Sequence, residues 1–181
     1  SEINTKMDWY ESQIRRLFAE LEKQYQEIYF SVFSDHGMTT LTEVVDVKKP
    51  VEQLGYKFGK DYVAVYDSTM VRLWFFNHSA KQAILETLDK TPHCHVLDDE
   101  ELKRYSIDFP DNMYGEKIVL MDPGFQIAPS DMGLKALPGM HGFAPEHEDS
   151  FAAFLSSEKV DIELKCVDDY FRVMTQRMDM L

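Results

Sequence analysis

The apolar positions of this chain change period several times, and each change marks an element. Between Asp8 and Gln26 the residues Ile14, Leu17, Phe18 and Leu21 recur at i, i+3, i+4 and i+7, with Glu, Arg and Gln between them. That stripe predicts an amphipathic helix with its apolar side packed into a core. Ile28 to Phe33 follows as a short run of β-branched and aromatic residues, expected to be a strand buried on both faces. A helix feeding such a strand reads as the end of an α/β crossover. Ligands in open α/β sheets gather beyond the carboxyl ends of strands, and Asp35 and His36 lie at that end.

The texture then changes. Asp61 to Phe76 predicts two strands around a turn at Asp67-Ser68. Ser79 to Leu88 predicts a helix capped by Ser79 with Gln82 three residues on. Asp98 is expected to cap a short helix over DEELKRY. Ile118 to Met121 and Phe125 to Ile127 read as strands separated by the turn Asp122-Pro123-Gly124. Leu137 to Pro145 is a Gly/Pro-rich loop, Ser150 to Leu155 a strand returning to the main sheet, and Asp168 to Met178 a final helix. The expected organisation is a core formed by residues 1–46 and 132–181, carrying an α+β insertion over residues 47–131. There is no internal repeat and no low-complexity segment.

Composition narrows this picture. With 181 residues, 44% of them hydrophobic, the chain is long enough for one domain with a sizeable core. A net charge of -13 argues against a basic nucleic-acid-binding surface. It leaves room for an anionic substrate where bound metal ions reverse the local field. The two cysteines, Cys94 and Cys166, form no zinc-finger spacing and no disulfide framework. No apolar run reaches membrane length. The chain opens on Ser1 rather than Met, which points to a processed or excised segment.

Candidate chemistry centres on histidine. Asp35-His36 after a strand offers carboxylate oxygen and imidazole nitrogen, a donor pair suited to zinc or manganese. The plainer reading is an Asp capping the next turn and a solvated His. Gly37 permits the chain to turn so that both side chains serve one site. His141 sits between Gly139 and Gly142, which leave its imidazole unobstructed, although a lone loop His is usually a surface residue. His93-Cys94-His95 opens a strand whose alternation sends both histidines to one face, without an acidic partner at matching spacing. His78 reads as a helix-entry residue and His147 as part of an acidic surface segment. The Gly55 to Lys60 stretch mimics a phosphate loop, but its glycine spacing is short and Asp61 stands where Ser or Thr is needed. The insertion's aromatic residues (Tyr56, Phe58, Tyr62, Tyr66, Trp74, Phe75, Phe76) suit core packing, and a minority suit stacking on a nucleobase.

Ser34-Asp35-His36-Gly37-Met38 after an apolar strand, and Gly139-Met140-His141-Gly142-Phe143 about a hundred residues on, form a matched pair. The pair resembles the alkaline phosphatase superfamily, specifically its type I phosphodiesterase/nucleotide pyrophosphatase branch. Met38 favours that branch over the phosphoglycerate mutase branch, where Asn usually follows the Asp-His-Gly. Gly124-Phe125-Gln126-Ile127, the Ala-Pro-Glu after Phe143, and the closing Phe151 to Leu155 and Val167 to Tyr170 follow the family's order. The similarity spans most of the chain and is thinnest in the insertion. It implies an alkaline-phosphatase-like partial α/β sheet with helices. It implies two divalent metal ions, commonly zinc with manganese as an alternative, roughly 4 Å apart. Asp35 and His36 would bind the ion that activates the nucleophile, and His141 the other. Phe143 stands where Tyr is common, a departure that spares the ligand.

The resemblance also implies the reaction: attack on phosphorus by a Thr or Ser alkoxide, a covalent phospho-enzyme, then water, on a small phosphate ester or nucleotide. The family's first-strand Asp, its nucleophile and its Asp-x-x-x-His pair all precede SDHGM, and no such motif lies before Trp9. The chain is therefore expected to be the C-terminal part of a longer enzyme, inactive alone, with an exposed sheet edge that favours self-association. The competing expectations are a non-catalytic binding or interaction module derived from the same fold, and a phosphonate hydrolase or phosphomonoesterase of the same superfamily. The resemblance implies a place of work outside the cytoplasm, as for many members of the family.

Overall fold

A computed structural model describes residues 1–178. Its elements are α1 (Glu2–Leu21), β1 (Ser31–Phe33), β2 (Thr39–Thr40), β3 (Glu43–Val45), α2 (Lys48–Glu52), β4 (Tyr62–Tyr66), β5 (Met70–Phe75), α3 (His78–Asp89), β6 (Cys94–Val96), α4 (Asp99–Arg104), β7 (Lys117–Met121), β8 (Phe125–Ile127), β9 (Gly139–Met140), β10 (Phe154–Ser156) and α5 (Asp168–Met178). They fall into two compact units, Ser1–Ser34 with Ala153–Leu181, and Asp35–Ala152. Of the first unit's residues, the last three lie outside those described.

The Asp35–Ala152 unit is built on a four-stranded antiparallel sheet of order β4-β5-β7-β6. The expected hairpin is present, with Tyr62 paired to Phe75 and Tyr66 to Val71. Its alternation works as period-2 patterning requires. Tyr62, Ala64, Tyr66, Val71 and Leu73 are buried with Val119 and Met121 of β7, in one core with Ala80, Ile84 and Leu88 of α3. Those three helical residues stand at i, i+4 and i+8, one stripe of the helix. The opposite face carries a smaller cluster of Leu97, Leu102 and Ile118. The cap of α3 is Asn77 rather than Ser79: its side chain accepts from the Ser79 and Ala80 N–H groups. The amide cap stands two residues earlier, so the helix begins earlier and its own first N–H groups are the ones satisfied. Asp98 caps α4 as expected and forms a full capping box with Glu101. The β8 strand does follow the Asp122-Pro123-Gly124 turn, but it pairs in parallel with β3. Two further short ladders form in the chain, β2 with β9 and β1 with β10.

The other unit contains α1, β1, β10 and α5. Here the strand expected to be buried on both faces is exposed: Val32 and Phe33 of β1 retain 38% and 50% of their surface. Its ladder partner is β10, antiparallel, with Val32 opposite Leu155. One partner strand covers an edge, not a face. The apolar stripe of α1 likewise buries no residue fully; Leu17 is 47% exposed, and Ile14 and Phe18 line an open groove with Val32 and Leu155. The helix also starts at Glu2 rather than Asp8, because the Ser1 hydroxyl accepts from the Asn4 N–H and caps it there.

α5 is the well-anchored helix of this unit. Tyr170 packs on Phe33 and Phe154 and donates a hydrogen bond to the Ala153 carbonyl. Asp169 is buried and accepts from the backbone N–H groups of Lys165 and Cys166 and from the Arg172 guanidinium. The Lys165 N–H first, then that of Cys166, hold its carboxyl down at about 2, against an ordinary value of 3.8. A carboxyl depressed in the folded state adds stability above its unfolded pKa and loses it as pH falls through the folded one. This unit should therefore lose helix signal between roughly pH 4 and pH 2. The Asp169→Asn variant should lose much of that dependence in a circular-dichroism acid titration, and an unchanged titration would refute the assignment.

Candidate functional site

Asp35, His36 and His141 all lie in the Asp35–Ala152 unit. What joins the two motifs is the β2–β9 ladder, which sets Thr39 opposite Met140 and Thr40 opposite Gly139. Each strand is two residues long; β9 ends directly before His141, and β2 begins three residues after His36. Gly139 is held close here, since a Cβ on it would press on the Thr39 carbonyl and the Met38 side chain. The result is that the His36 and His141 rings stack, with centroids 3.6 Å apart and planes 16° from parallel.

The His36 ring is oriented by its own neighbour. Its Nδ1 lies 2.7 Å from the Gly37 carbonyl oxygen. A carbonyl only accepts, so in the neutral ring the proton sits on Nδ1 and the lone pair on Nε2. That Nε2 faces the Asp35 carboxylate, 3.5 Å from Oδ1. Two zinc ligands at ordinary bond lengths and a tetrahedral angle stand about 3.4 Å apart. The donor chemistry and the spacing of Asp35 and His36 therefore fit a divalent ion. The Nδ1–H···O=C bond is the kind of second contact that fixes a ligating imidazole. Asp35 is exposed and His36 half-buried, so both are reachable from solvent.

Gly37 and Gly142 serve this geometry differently. A Cβ on Gly37 would collide with the Asp149 carbonyl oxygen and crowd that of Phe151. Gly142 has φ +89°, left-handed backbone that a side chain resists, and a Cβ there would come to 2.8 Å from the Thr69 hydroxyl. Thr69 is buried in the turn between β4 and β5, and its hydroxyl reaches the carbonyl oxygens of both His141 (3.1 Å) and Gly142 (3.0 Å). Sequence reading passed over Thr69, because a threonine in a hairpin turn carries no signal of its long-range partners. Phe143, next along, is 6% exposed and anchors the loop in the core.

The remaining histidines go elsewhere. His93 and His95 do not share a face: His93 precedes β6 with φ +64°, outside the reach of strand alternation. It stacks on Phe125 and meets Asp122, whereas His95 Nε2 meets both oxygens of Glu101. His78 is exposed at the start of α3. His147 accepts from the Asp149 N–H and caps the short helical turn Glu148–Ser150. Gly55 and Gly59 take positive φ in open space, as turn residues. Among the insertion's aromatic residues Tyr62 and Tyr66 are core, while Phe58 and Phe76 remain exposed. Cys94 and Cys166 are both free. Among the described residues no three His, Cys, Asp or Glu side chains converge to hold an ion, so Asp35 and His36 offer two donors of the four that zinc ordinarily takes. No helix among the described residues is long and apolar enough to cross a membrane.

Comparison with known proteins gives three kinds of result. Residues 1–144 match the family model described as type I phosphodiesterase / nucleotide pyrophosphatase. No curated protein matches. Among solved structures, human ectonucleotide pyrophosphatase / phosphodiesterase 5 is similar at TM-score 0.61 and 19% identity, over 86% of this chain and 39% of that one. The murine protein of the same name, inactive and in complex with AMP, is similar at TM-score 0.55 and 20% identity, over 71% and 33%. Phosphonoacetate hydrolase from Sinorhizobium meliloti 1021, in complex with phosphonoacetate, is similar at TM-score 0.61 and 19% identity, over 88% and 44%. The mixed α/β fold is thus the alkaline-phosphatase-like one, and the chain spans less than half the length of these structures.

Proposed function

Because this chain belongs to the type I phosphodiesterase / nucleotide pyrophosphatase family, we propose that it supplies metal ligands to a two-metal enzyme that hydrolyses phosphate diesters of nucleotides. Asp35 and His36 hold one divalent ion and His141 holds the second, zinc being favoured by the mixed oxygen and nitrogen donors. The observation that carries this reading is the ladder-enforced stack of His36 on His141 beside the Asp35 carboxylate. The ions, when bound, lower the pKa of a nucleophile and stabilise the leaving oxygen.

The chain's own residues do the positioning. The Gly37 carbonyl keeps the proton on His36 Nδ1 and leaves Nε2 as donor. Asp35 adds negative charge that offsets the ion's. With a net charge of -13 the chain itself repels a phosphate diester, so attraction of the substrate depends on ions held at these residues. The murine relative's complex with AMP supports a nucleotide substrate. A phosphonate substrate is the second reading, favoured by the similarity to phosphonoacetate hydrolase.

Zinc calorimetry on this chain tests the ligand assignment. Weak binding that disappears in the Asp35→Ala/His36→Ala double variant is expected. An isotherm unchanged by the double substitution would refute the site. In the whole protein that contains this chain, the same variant should lose hydrolysis of bis(p-nitrophenyl) phosphate by at least about a hundredfold. Retention of that activity alongside loss of phosphonoacetate cleavage would support the second reading.

A further inference from the structure

Connecting turns ordinarily lie on the surface, where water satisfies their backbone. The turn joining β4 to β5 does not: Ser68 and Thr69 are 3% and 4% exposed. Every polar group in it that is buried must then find a partner inside the protein, and the partners form a pattern. The Asp67 N–H donates to the Met70 carbonyl, closing the turn. The Ser68 carbonyl accepts from the Ile127 N–H of β8, and the Thr69 carbonyl from the Met121 N–H of β7. The Ser68 N–H donates to the Asp67 carboxylate, and the Thr69 hydroxyl is spent on the carbonyls of His141 and Gly142. Among the described residues no other donor reaches either carbonyl.

We propose that Thr69 is a positioning residue for His141: its hydroxyl holds the His141–Gly142 backbone so that the imidazole stands against His36. The proposal rests on the ligand role given above to His141, and deepens it. The loop is pinned before His141 by the β2–β9 ladder and after it by buried Phe143. Between those anchors, the orientation of two peptide planes is left to one side chain. Threonine suits the task because its β-branch restricts χ1, so the hydroxyl is aimed rather than searching. The same hydroxyl explains the glycine at 142: the left-handed backbone that brings both carbonyls to one oxygen also brings the Gly142 Cα to that oxygen, leaving no room for a Cβ.

The test compares Thr69→Val, which keeps the shape and removes the hydroxyl, with Thr69→Ser, which keeps the hydroxyl. Two readouts are taken on each, the ring-current-shifted imidazole proton resonances of His36 and His141 without metal, and the zinc isotherm. The valine variant is expected to lose the shifted resonances and to bind zinc about 10-fold more weakly, while serine retains both. Wild-type resonances and affinity in the valine variant would overturn the proposal. If the valine variant does not fold, Gly142→Ala strains the same contact from the loop side; its retention of both readouts would overturn the proposal equally. The readouts separate this inference from the metal reading. Loss of the shifted resonances, in a chain that binds no zinc, supports the positioning role and removes the metal assignment. Zinc binding that needs Asp35 and His36 but is indifferent to Thr69, with resonances unmoved, does the reverse.

Discussion

Replacing Gly37 with alanine is expected to destabilise the Asp35–Ala152 unit by about 3 kcal/mol or more, and to weaken zinc binding with it. The added methyl would land on the Asp149 carbonyl oxygen, with the Asp149 carbonyl carbon and the Phe151 carbonyl oxygen both 3.0 Å away. All three atoms are backbone, so no rotamer change relieves the clash. Either residues 149–151 or residues 36–38 must move. The first choice disturbs the short helical turn that His147 caps and the hydrogen bond from the Gly37 N–H to the Ser150 carbonyl. The second displaces the Gly37 carbonyl that orients His36. Denaturant unfolding and zinc calorimetry on the alanine variant check both parts. A stability within about 0.5 kcal/mol of the parent would show that the close approach is not needed.

Leu73→Ala is expected to cost about 4 kcal/mol, toward the upper part of the range for buried leucines. Leu73 is fully buried in β5, opposite Ala64 on one side and Lys117 on the other. Its side chain belongs to the cluster that includes Ile84 and Leu88 of α3. Removal of three carbons there leaves a cavity that β5, held by a neighbouring strand on each side, cannot close. The control is Leu17→Ala on α1, where the side chain is 47% exposed and little more than about 0.5 kcal/mol should be lost. Equal effects of the two substitutions in denaturant unfolding would contradict the core as described.

The Asp61 to Phe76 hairpin, the Asp98 cap and the strand after Gly124 were all legible because each is declared by residues within a few positions of it. Burial was less legible. The stripe of Ile14, Leu17, Phe18 and Leu21 has the period of a packed helix, yet periodicity records which side is apolar and not what covers it. The same holds for Val32 and Phe33, whose composition suggested a buried strand. In the candidate site, Asp35, His36 and His141 were readable as short motifs, and the resemblance paired them. The physical link between them was not readable, since a two-residue ladder between β2 and β9 has no period to detect. Gly37 was assigned to a turn by its conformational freedom, whereas the structure uses its missing side chain to let Asp149 approach. The Ser79 cap was displaced to Asn77 by a nearby competitor of equal capping strength.

The way the chain leaves and re-enters the β1–β10 ladder has a bearing on how such a protein changes over generations. The Ser34 N–H donates to the Ala153 carbonyl, and the Ala153 N–H donates to the Ser34 hydroxyl. Everything from Asp35 to Ala152 is thus spliced in between two residues that already touch. The entropy of closing such an excursion grows only with the logarithm of its length, so insertions and deletions within it leave the bracketing strands almost indifferent. A lineage can therefore remodel this stretch, and with it any selectivity it confers, at little cost to the scaffold that carries its ends.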